Sequence, residues 1–415
     1  MKVLLKSLNY APELTGIGKY NGEMCEAFAE KGMDVTAIVA PPYYPQWQVS
    51  PGYRKFWYKQ GKTNGVKLIR CPLYVPSNVS IPKRFIHLCS FAFTAGLAMA
   101  TQLFNRPNVV ILVQPTLFCA PFALIFAKLM GAKTIMHIQD FEVNAMFGLG
   151  MVREGKMVNV VKRLESWLLK RFDAVSTISY SMMEIAKAKG VDESKIIYFP
   201  NWSDIDFVTP HSDGSALKKE WDFNPSDRII MYAGNIGYKQ GLEIIFDAAE
   251  YFQEQTDIKF VLVGAGAYTN TLIALSAKRM LTNVYFKPLQ PWENVPQMLA
   301  LADIHLVVQK KGAADAVLPS KLTNILAAGG HTLVTAERHT ELGVIAAKYE
   351  GIFHRIEPED STAFIDGITH LLDQDLTSHN TVARKFAESN LAKDQILAEF
   401  ADNLALLAKT EYVFN

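Results

Sequence analysis

The sequence predicts an α/β protein made of two doubly wound domains, each with a parallel sheet between two layers of helices. Apolar runs of strand length alternate with helical patterns along the chain, and these runs are too rich in Val, Ile and Leu for strands with one face in water. The 415 residues are also more than a single core usually holds. The alternation stops once, near residue 200, and then starts again. Two domains of the same class are therefore expected.

The first half of the chain predicts a domain over residues 1–200. Its predicted strands, in order, are Val3–Leu8, Val35–Val39, Lys67–Cys71, Val109–Val113, Thr134–His137, Ala174–Ile178 and Ile196–Phe199. Its clearest predicted helices are Tyr20–Lys31, Phe118–Met130, Met157–Arg171 and Ser181–Lys189. Strands and helices that alternate in this way form parallel sheets with right-handed crossovers. The opening MKVLLKSLNYAPE fits a buried first strand, since a signal peptide needs a longer apolar run and a cleavage site.

The segment FPNWSDIDFVTPHSDGS interrupts the alternation and predicts a linker over residues 201–216. The second domain, residues 217–390, has predicted strands at Ile229–Tyr232, Lys259–Val263, Val284–Phe286, Ile304–Val308, Thr332–Thr335 and Ile352–Phe353. Helices predicted between them include Leu242–Phe252, Pro291–Leu301 and Lys321–Ala328. Residues 391–415 predict a C-terminal helix, with packing on the first domain as one alternative. Doubly wound sheets bind ligands at the carboxyl ends of their strands, so the cleft between the domains is the expected site.

Composition excludes several classes of protein. The formal net charge is +1, so no overall field attracts nucleic acid. The four cysteines, Cys25, Cys71, Cys89 and Cys119, lack metal-ligand spacing and lie in apolar contexts. They indicate reduced thiols in a cytoplasmic protein. No metal site is predicted.

One segment complicates a soluble interpretation. Residues 83–104, KRFIHLCSFAFTAGLAMATQLF, carry no charge after Arg84 and are long enough to span a bilayer. They also contain His87 and several other polar side chains, and a strand pattern follows at once. We expect a helix packed on the sheet, with one face touching the membrane surface, rather than a span.

The turn after the first strand, NYAPELTGIGKY, contains Gly16 and Gly18 and opens the first predicted helix. Glycines let the backbone approach an anion, and a helix N-terminus directs free N–H groups at it. The spacing is not GxGxxG, so a dinucleotide-binding fingerprint is a poor match. Contact with a phosphate or substrate and a purely structural turn both remain open.

The second domain has three loops of this type at strand ends. GNIGYKQGLE carries Asn235 and Lys239, and Lys239 is either a phosphate counter-charge or a solvated loop lysine. VLVGAGA ends a strand in Gly264 and Gly266, which would accommodate a nucleotide base or ribose, or simply form a tight turn.

The third loop, KKGAADAVLPSKLTNILAAGG, leads from a strand into a helix that begins near Ser320. Backbone amides near Val317 and Leu318 are expected to bind a diphosphate, with Lys321 as counter-charge. Asn324 lies one turn beyond Ser320 on the same face and is placed to bond a ribose hydroxyl.

In the first domain, HIQDFEVNAM places His137 and Asp140 at the end of a strand, with Glu142 after them. His137 alone would more often be a core histidine. With two carboxylates following it at a cleft-facing strand end, the group predicts a catalytic or substrate-binding role.

Together these segments resemble the GT-B glycosyltransferases of family 4. The resemblance covers nearly the whole chain and rests on PELTGIGKY, APPYYPQWQV, HIQDFEVNAM, FPNWSD and VVQKKGAADAVLPSKLTNILA. It implies two Rossmann-like domains facing a central cleft, the first binding the acceptor and the second the nucleotide sugar. It further implies retaining sugar transfer from a nucleotide diphosphate donor without an essential metal, and it adds Glu13 and Lys19 to the candidate substrate contacts.

Within the family, the resemblance is to members that assemble bacterial exopolysaccharide of the colanic acid type. It implies GDP-fucose as donor and a lipid-linked glycan as acceptor. It also implies peripheral association with the inner face of the cytoplasmic membrane. Nothing in the composition or spacing indicates guanine or fucose.

Three positions depart from the family pattern. Asn235 stands where the family commonly has an arginine, and Ala316 and Asn324 stand where it commonly has two glutamates. Asp315 could substitute for the first glutamate, and Lys321 for the charge of the arginine. A sugar-nucleotide 2-epimerase of the same fold is one alternative to a transferase. The missing glutamates also leave open a non-catalytic, sugar-nucleotide-binding assembly protein.

Overall fold

The computed structural model describes residues 1–13, 16–44, 46–78, 80–114, 117–141, 156–312 and 319–409. The chain divides into two compact units. The first combines Met1–Pro200 with Gln395–Asn415, and the second is Asn201–Asp394. Residues 201–216, the predicted linker, fall within the second unit, where Trp202 and Val208 are buried.

The first unit is built on a sheet of eight strands: β1 Lys2–Ser7, β2 Asp34–Val39, β3 Lys59–Thr63, β4 Val66–Arg70, β5 Val109–Gln114, β6 Lys133–Ile138, β7 Ala174–Thr177 and β8 Ile196–Tyr198. Their order is β3-β4-β2-β1-β5-β6-β7-β8. Every neighbouring pair is parallel except β3 and β4, which are antiparallel at the edge. β3, with the sequence KQGKT, was not predicted because all five of its residues are exposed and it has no apolar pattern.

The helices of residues 1–200 in the described part of the chain are α1 Ile17–Glu30, α2 Ile81–Ala100, α3 Ala120–Met130, α4 Lys156–Leu169 and α5 Tyr180–Ala188. α1 shows why they form where they do. Tyr20, Met24 and Phe28 recur every four residues and are all buried, so one face of the helix packs on the sheet.

α2 contains the apolar segment for which a membrane span was the alternative. It lies against β2 and α3, and it buries Phe91, Ala95 and Met99. Nowhere in the described ranges is a helix long and apolar enough to cross a membrane.

The second unit has six strands: β9 Arg228–Ala233, β10 Ile258–Val263, β11 Val284–Lys287, β12 Ile304–Val307, β13 Thr332–Thr335 and β14 His354–Ile356. Their order is β11-β10-β9-β12-β13-β14, and every pair is parallel. Its described helices are α6 Ser215–Glu220, α7 Glu243–Tyr251, α8 Thr269–Lys278, α9 Val295–Leu301, α10 Ser320–Ala327, α11 Glu341–Lys348, α12 Ser361–Leu372 and α13 Thr381–Asn390. Two apolar clusters fill the core of this unit.

The two doubly wound sheets confirm the predicted fold class. One strand prediction was displaced: Ile352 and Phe353 are buried, but pairing with β13 begins at His354. Ile352 and Phe353 are apolar because they are buried in the core, although they do not pair in the sheet.

After the second unit the chain returns to the first as α14, Lys393–Lys409. Phe400 on α14 stacks on Phe199 with ring centroids 3.7 Å apart, and it lies 6.2 Å from Phe28. The core of the first unit therefore includes residues from both ends of the sequence.

Candidate active site

In the second unit, the loops after β9 and β10 meet at the carboxyl edge of the sheet. Gly264 follows β10 with φ 144°, and a Cβ there would lie 1.9 Å from the carbonyl oxygen of Gly234, which follows β9. A Cβ on Gly266 would lie 2.1 Å from the carbonyl oxygen of Ile236. Only glycine allows the two loops to approach so closely. This edge includes the reversal of strand order between β9 and β12, the usual ligand position in such sheets.

Lys321, the second residue of α10, is at the same edge. Its ammonium nitrogen is 3.6 Å from the centroid of the Tyr232 ring. A Cβ added to Gly234 would lie 3.4 Å from the same nitrogen. Among the residues that the structure describes, the buried Nζ has no hydrogen-bond partner. Burial lowers the pKa of Lys321 from its ordinary 10.5 to about 7. The site therefore holds a buried amine, partly protonated near neutral pH, that lacks a counter-ion within the described chain.

Asn235, Ser320 and Asn324 are the other predicted contacts of this unit on the loop after β9 and on α10. Asn235 is exposed, and its carbonyl accepts a 2.8 Å hydrogen bond from the hydroxyl of Tyr232, which fixes the turn after β9. Ser320 is exposed at the start of α10. Oδ1 of Asn324, the residue predicted to bond a ribose hydroxyl, accepts a 2.7 Å hydrogen bond from Oγ of Ser203.

Four predicted contacts lie partly or wholly outside the described structure. Asp315, Val317 and Leu318 fall outside the described residues. Lys239 lies in the short turn Tyr238–Gln240, but its side chain is likewise outside the description.

In the first unit, Glu13 holds the loop after β1. Its carboxylate accepts hydrogen bonds from Nδ2 of Asn9 at 2.9 Å and from the backbone N–H groups of Tyr43 and Tyr44 at 3.2 and 3.3 Å. Burial raises the pKa of Glu13, and these hydrogen bonds oppose that shift. A Cβ on Gly18 would lie 2.7 Å from the Glu13 carboxylate, so this glycine is required for packing. The carboxylate predicted to contact substrate is thus engaged within the chain.

Three other predicted residues of this unit line one cavity of about 270 Å³. Gly16 and Gly18 at the start of α1 line it, and Asp140 after β6 does as well. Lys19 makes a 3.6 Å ion pair with Glu23 on the same helix. The structure thus brings Asp140 and the glycine turn together.

His137, in contrast, lies in the core. It is 1% exposed, Nδ1 is 3.0 Å from Oγ of Ser176, and Nε2 is 2.8 Å from the amide nitrogen of Gln139. Its ring lies 5.1 Å from that of Phe199, and burial lowers its pKa to about 3. The predicted catalytic role of His137 is corrected accordingly: both ring nitrogens are occupied inside the fold, as in a core histidine. Glu142 lies outside the described residues.

Two residues of these sites were not predicted. Tyr232 lies within an apolar strand and gives no signal of its contact with Lys321. His87 was noted only as a polar residue of an apolar helix, yet it lines the cavity beside Asp140. Among the residues described, no three or more His, Cys, Asp and Glu side chains are grouped to hold a metal ion.

Two family descriptions match the chain: Glycosyl transferase 4-like domain over residues 15–202, and Glycosyl transferases group 1 over residues 214–388. WcaI of Escherichia coli (strain K12), named as a colanic acid biosynthesis glycosyl transferase, is 46% identical over 409 residues. That alignment covers 97% of this chain and 100% of WcaI.

Solved structures share the fold at low sequence identity. Sucrose-phosphate synthase from Thermosynechococcus elongatus matches with a TM-score of 0.76 at 14% identity, over 98% of both chains. Anabaena HepE in complex with UDP and glucose matches with a TM-score of 0.71 at 13% identity, over 98% of this chain and 100% of HepE. With the full-length match to WcaI and the two family descriptions, these findings place the chain among the GT-B glycosyltransferases of family 4.

Proposed function

We propose that this glycosyltransferase moves fucose from GDP-fucose to a lipid-linked oligosaccharide, with retention, during assembly of an exopolysaccharide of the colanic acid type. The name of the E. coli relative, which matches over its full length, supports the class of product. The HepE complexes with UDP, glucose and UDP-glucose support a nucleotide sugar as the class of donor.

The observation that carries the proposal is the buried ammonium of Lys321. A buried charge without a partner is unfavourable, so an anion at this edge of the sheet would be stabilised strongly. α10 begins at the same place, and the N–H groups of a helix N-terminus favour phosphate. A nucleoside diphosphate supplies the negative charge that both features require.

The same arrangement suits departure of the nucleoside diphosphate. As the bond to the sugar breaks, negative charge grows on the leaving phosphate, and Lys321 stabilises that charge. In a retaining transfer, the leaving phosphate itself accepts the proton of the attacking hydroxyl, so no protein base is required. Asp140 is assigned to orienting the acceptor within the cavity of the first unit.

Membrane association is part of the proposal because the acceptor is lipid-linked. α2 and α3 pack together and expose apolar side chains, namely Phe85, Phe93, Leu97, Phe122, Ile125 and Leu129. From Val35 to Gln139 the sequence contains eleven Lys and Arg residues and no Asp or Glu, although the net charge of the chain is only +1. An apolar face in a basic region favours the surface of an anionic membrane.

The decisive experiment offers GDP-fucose, GDP-mannose, UDP-glucose and UDP-galactose to the purified protein, with and without a lipid extract from exopolysaccharide-producing cells. We expect fucosylated lipid only from GDP-fucose with extract, and NMR of the product should show the anomeric configuration of the donor. Transfer from one of the other donors would identify the sugar of that donor, and not fucose, as the one transferred. Conversion of a donor to its C2 epimer would instead identify an epimerase.

Lys321→Met tests the observation itself, with Lys278→Met, an exposed lysine on α8, as the matched control. We expect the first variant alone to lose transfer and to bind the nucleotide more weakly. Equal behaviour of both variants would remove Lys321 from the donor site.

A further inference from the structure

The cavity of the first unit contains a histidine that the proposed function does not use. His87 on α2 is 1% exposed and lines the cavity together with Trp47 and Asp140. At about 270 Å³, the cavity is slightly smaller than the roughly 300–1,000 Å³ of sites for drug-sized ligands. Its size suits a single ring.

The hydrogen bond at Nδ1 of His87 determines whether Nε2 is a donor or an acceptor. Nδ1 lies 2.5 Å from the carbonyl oxygen of Tyr74, which can only accept, so Nδ1 carries a proton. Burial, and the positive charge of Arg84 nearby, lower the pKa of His87, so the ring is neutral. Nε2 therefore presents a lone pair, and it is buried without a hydrogen-bond partner within the described ranges. A ligand group that meets it must donate a proton.

Aromatic rings form the wall around this nitrogen. The rings of Tyr43 and Trp47 lie 4.9 and 5.3 Å from that of His87, and 5.6 Å from each other. Trp47 has φ 53°, a left-handed conformation that costs a bulky residue about 1–3 kcal/mol and is often found at ligand sites. Half-buried Trp47 thus offers an apolar surface beside a hydrogen-bond acceptor.

A sugar ring has the complementary chemistry, since hydroxyl donors surround apolar C–H faces. Arg84 and Asp140 both line the cavity, so its formal charges offset each other, and a phosphate dianion has no proton to give Nε2. We propose that this cavity binds one pyranose ring of the acceptor glycan, with Nε2 of His87 accepting a hydrogen bond from a sugar hydroxyl. The assignment to the acceptor rests on the proposed function, because the donor also carries a sugar.

Two substitutions separate the two nitrogens of His87. Asparagine reaches the Nδ1 position and keeps a donor for Tyr74 but removes the acceptor in the cavity. Glutamine reaches the Nε2 position and restores an acceptor there. With donor saturating, His87→Asn should raise the KM for the lipid-linked acceptor by roughly 2- to 12-fold, the value of one hydrogen bond, and His87→Gln should recover most of this. The KM for the donor and its hydrolysis without acceptor should stay unchanged.

The matched control is His305→Asn in the second unit. His305 is also 1% exposed with an unpartnered, buried Nε2 among the described residues, so this variant should lower the melting temperature without affecting the acceptor KM. An acceptor KM that His87→Asn leaves unchanged would overturn the proposal. A changed donor KM with unchanged acceptor KM would assign the ring to the donor sugar instead.

A binding measurement keeps the test independent of activity. Saturation-transfer NMR with the methyl glycosides of fucose, galactose and glucose should show contact for at least one sugar with wild-type protein and a weaker signal with His87→Asn. Wild-type protein that contacts none of them overturns the cavity inference even if fucose transfer is observed. Sugar contact without any transfer would overturn the proposed function alone.

Discussion

The charge of Lys321 depends on what is bound beside it. Its pKa of about 7 in the free protein, against an ordinary 10.5, means that the ammonium is only partly protonated near neutral pH. A bound diphosphate stabilises the charged form and raises this pKa. Binding must then take up a proton at any pH between the two values.

The affinity for GDP should therefore fall as pH rises above 7, at up to tenfold per pH unit. Titration calorimetry from about pH 7.5 to 8.5, in two buffers with different ionisation enthalpies, would count the protons taken up. Lys321→Met should bind GDP more weakly by about 1.5–3 kcal/mol and show no proton uptake. Wild-type affinity that is constant across this range would contradict the partly protonated state.

His137→Ala should destabilise the first unit without impairing chemistry. The substitution leaves a void beside Phe199 and removes a hydrogen-bond partner from Ser176 and from Gln139. A loss of about 2–5 kcal/mol in the free energy of unfolding is expected, with near-normal turnover per folded molecule. Turnover and denaturant unfolding measured on one preparation check this. A stable but inactive variant would indicate that His137 acts in catalysis.

Sequence reasoning at this scale recognised residue types but not their surroundings. Lys321 was identifiable because a helix start follows a strand and a small-residue loop. Its burial against Tyr232 was not, because that contact joins residues far apart in the sequence. His137 stood beside two carboxylates in the sequence, while His87 stood in an apolar run. Only the fold determines which of the two histidines lines a cavity and, among the described residues, keeps a ring nitrogen without a hydrogen-bond partner.

At the scale of elements, parallel strands were predictable because both of their faces are buried and their residues are uniformly apolar. β3 was missed for the opposite reason, since none of its residues is buried. α2 was recognised as a helix, but its exposed apolar face could not be derived from periodicity. Apolar residues occur all round it, and the packing of α3 and β2 decides which of them stay exposed.

The face formed by α2 and α3 should bind anionic vesicles. Phe93→Glu and Ile125→Glu place charge on exposed apolar positions, and each should reduce sedimentation with vesicles containing phosphatidylglycerol at low salt. Val344→Glu, at an exposed apolar position of α11 in the second unit, is the control and should bind as the wild type does. Binding that all three variants retain, or that the wild type lacks, would exclude this face.

At the scale of the whole molecule, bulk charge was a poor guide. A net charge of +1 predicts no overall attraction to anionic partners, but it does not show that residues 35–139 carry Lys and Arg with no Asp or Glu, while the acidic residues lie elsewhere in the chain. The restart of the strand–helix pattern did indicate two bodies of one class. Which unit the last helix packs on was left open, because an amphipathic helix does not specify its partner.

Phe400→Ala should destabilise the first unit selectively. Removing a ring stacked at 3.7 Å on Phe199 should cost about 3–5 kcal/mol. In calorimetry, the melting temperature of the first unit should fall. The other transition, whose melting temperature GDP raises, should stay where it is. Leu406→Ala, at an exposed position of the same helix, should change neither. A uniform shift of both transitions would mean that the units unfold together.

The passage of α14 back into the first unit also determines the order in which the protein can mature. The second unit is a continuous segment, Asn201–Asp394, inserted between two parts of the first. A ribosome therefore completes the whole of the second unit before it makes Phe400. The first unit cannot complete its core until the second unit has been synthesised, because Phe28 and Phe199 lack the ring of Phe400 until then. A nascent chain of this enzyme is thus most exposed to chaperones and proteases through its first 200 residues.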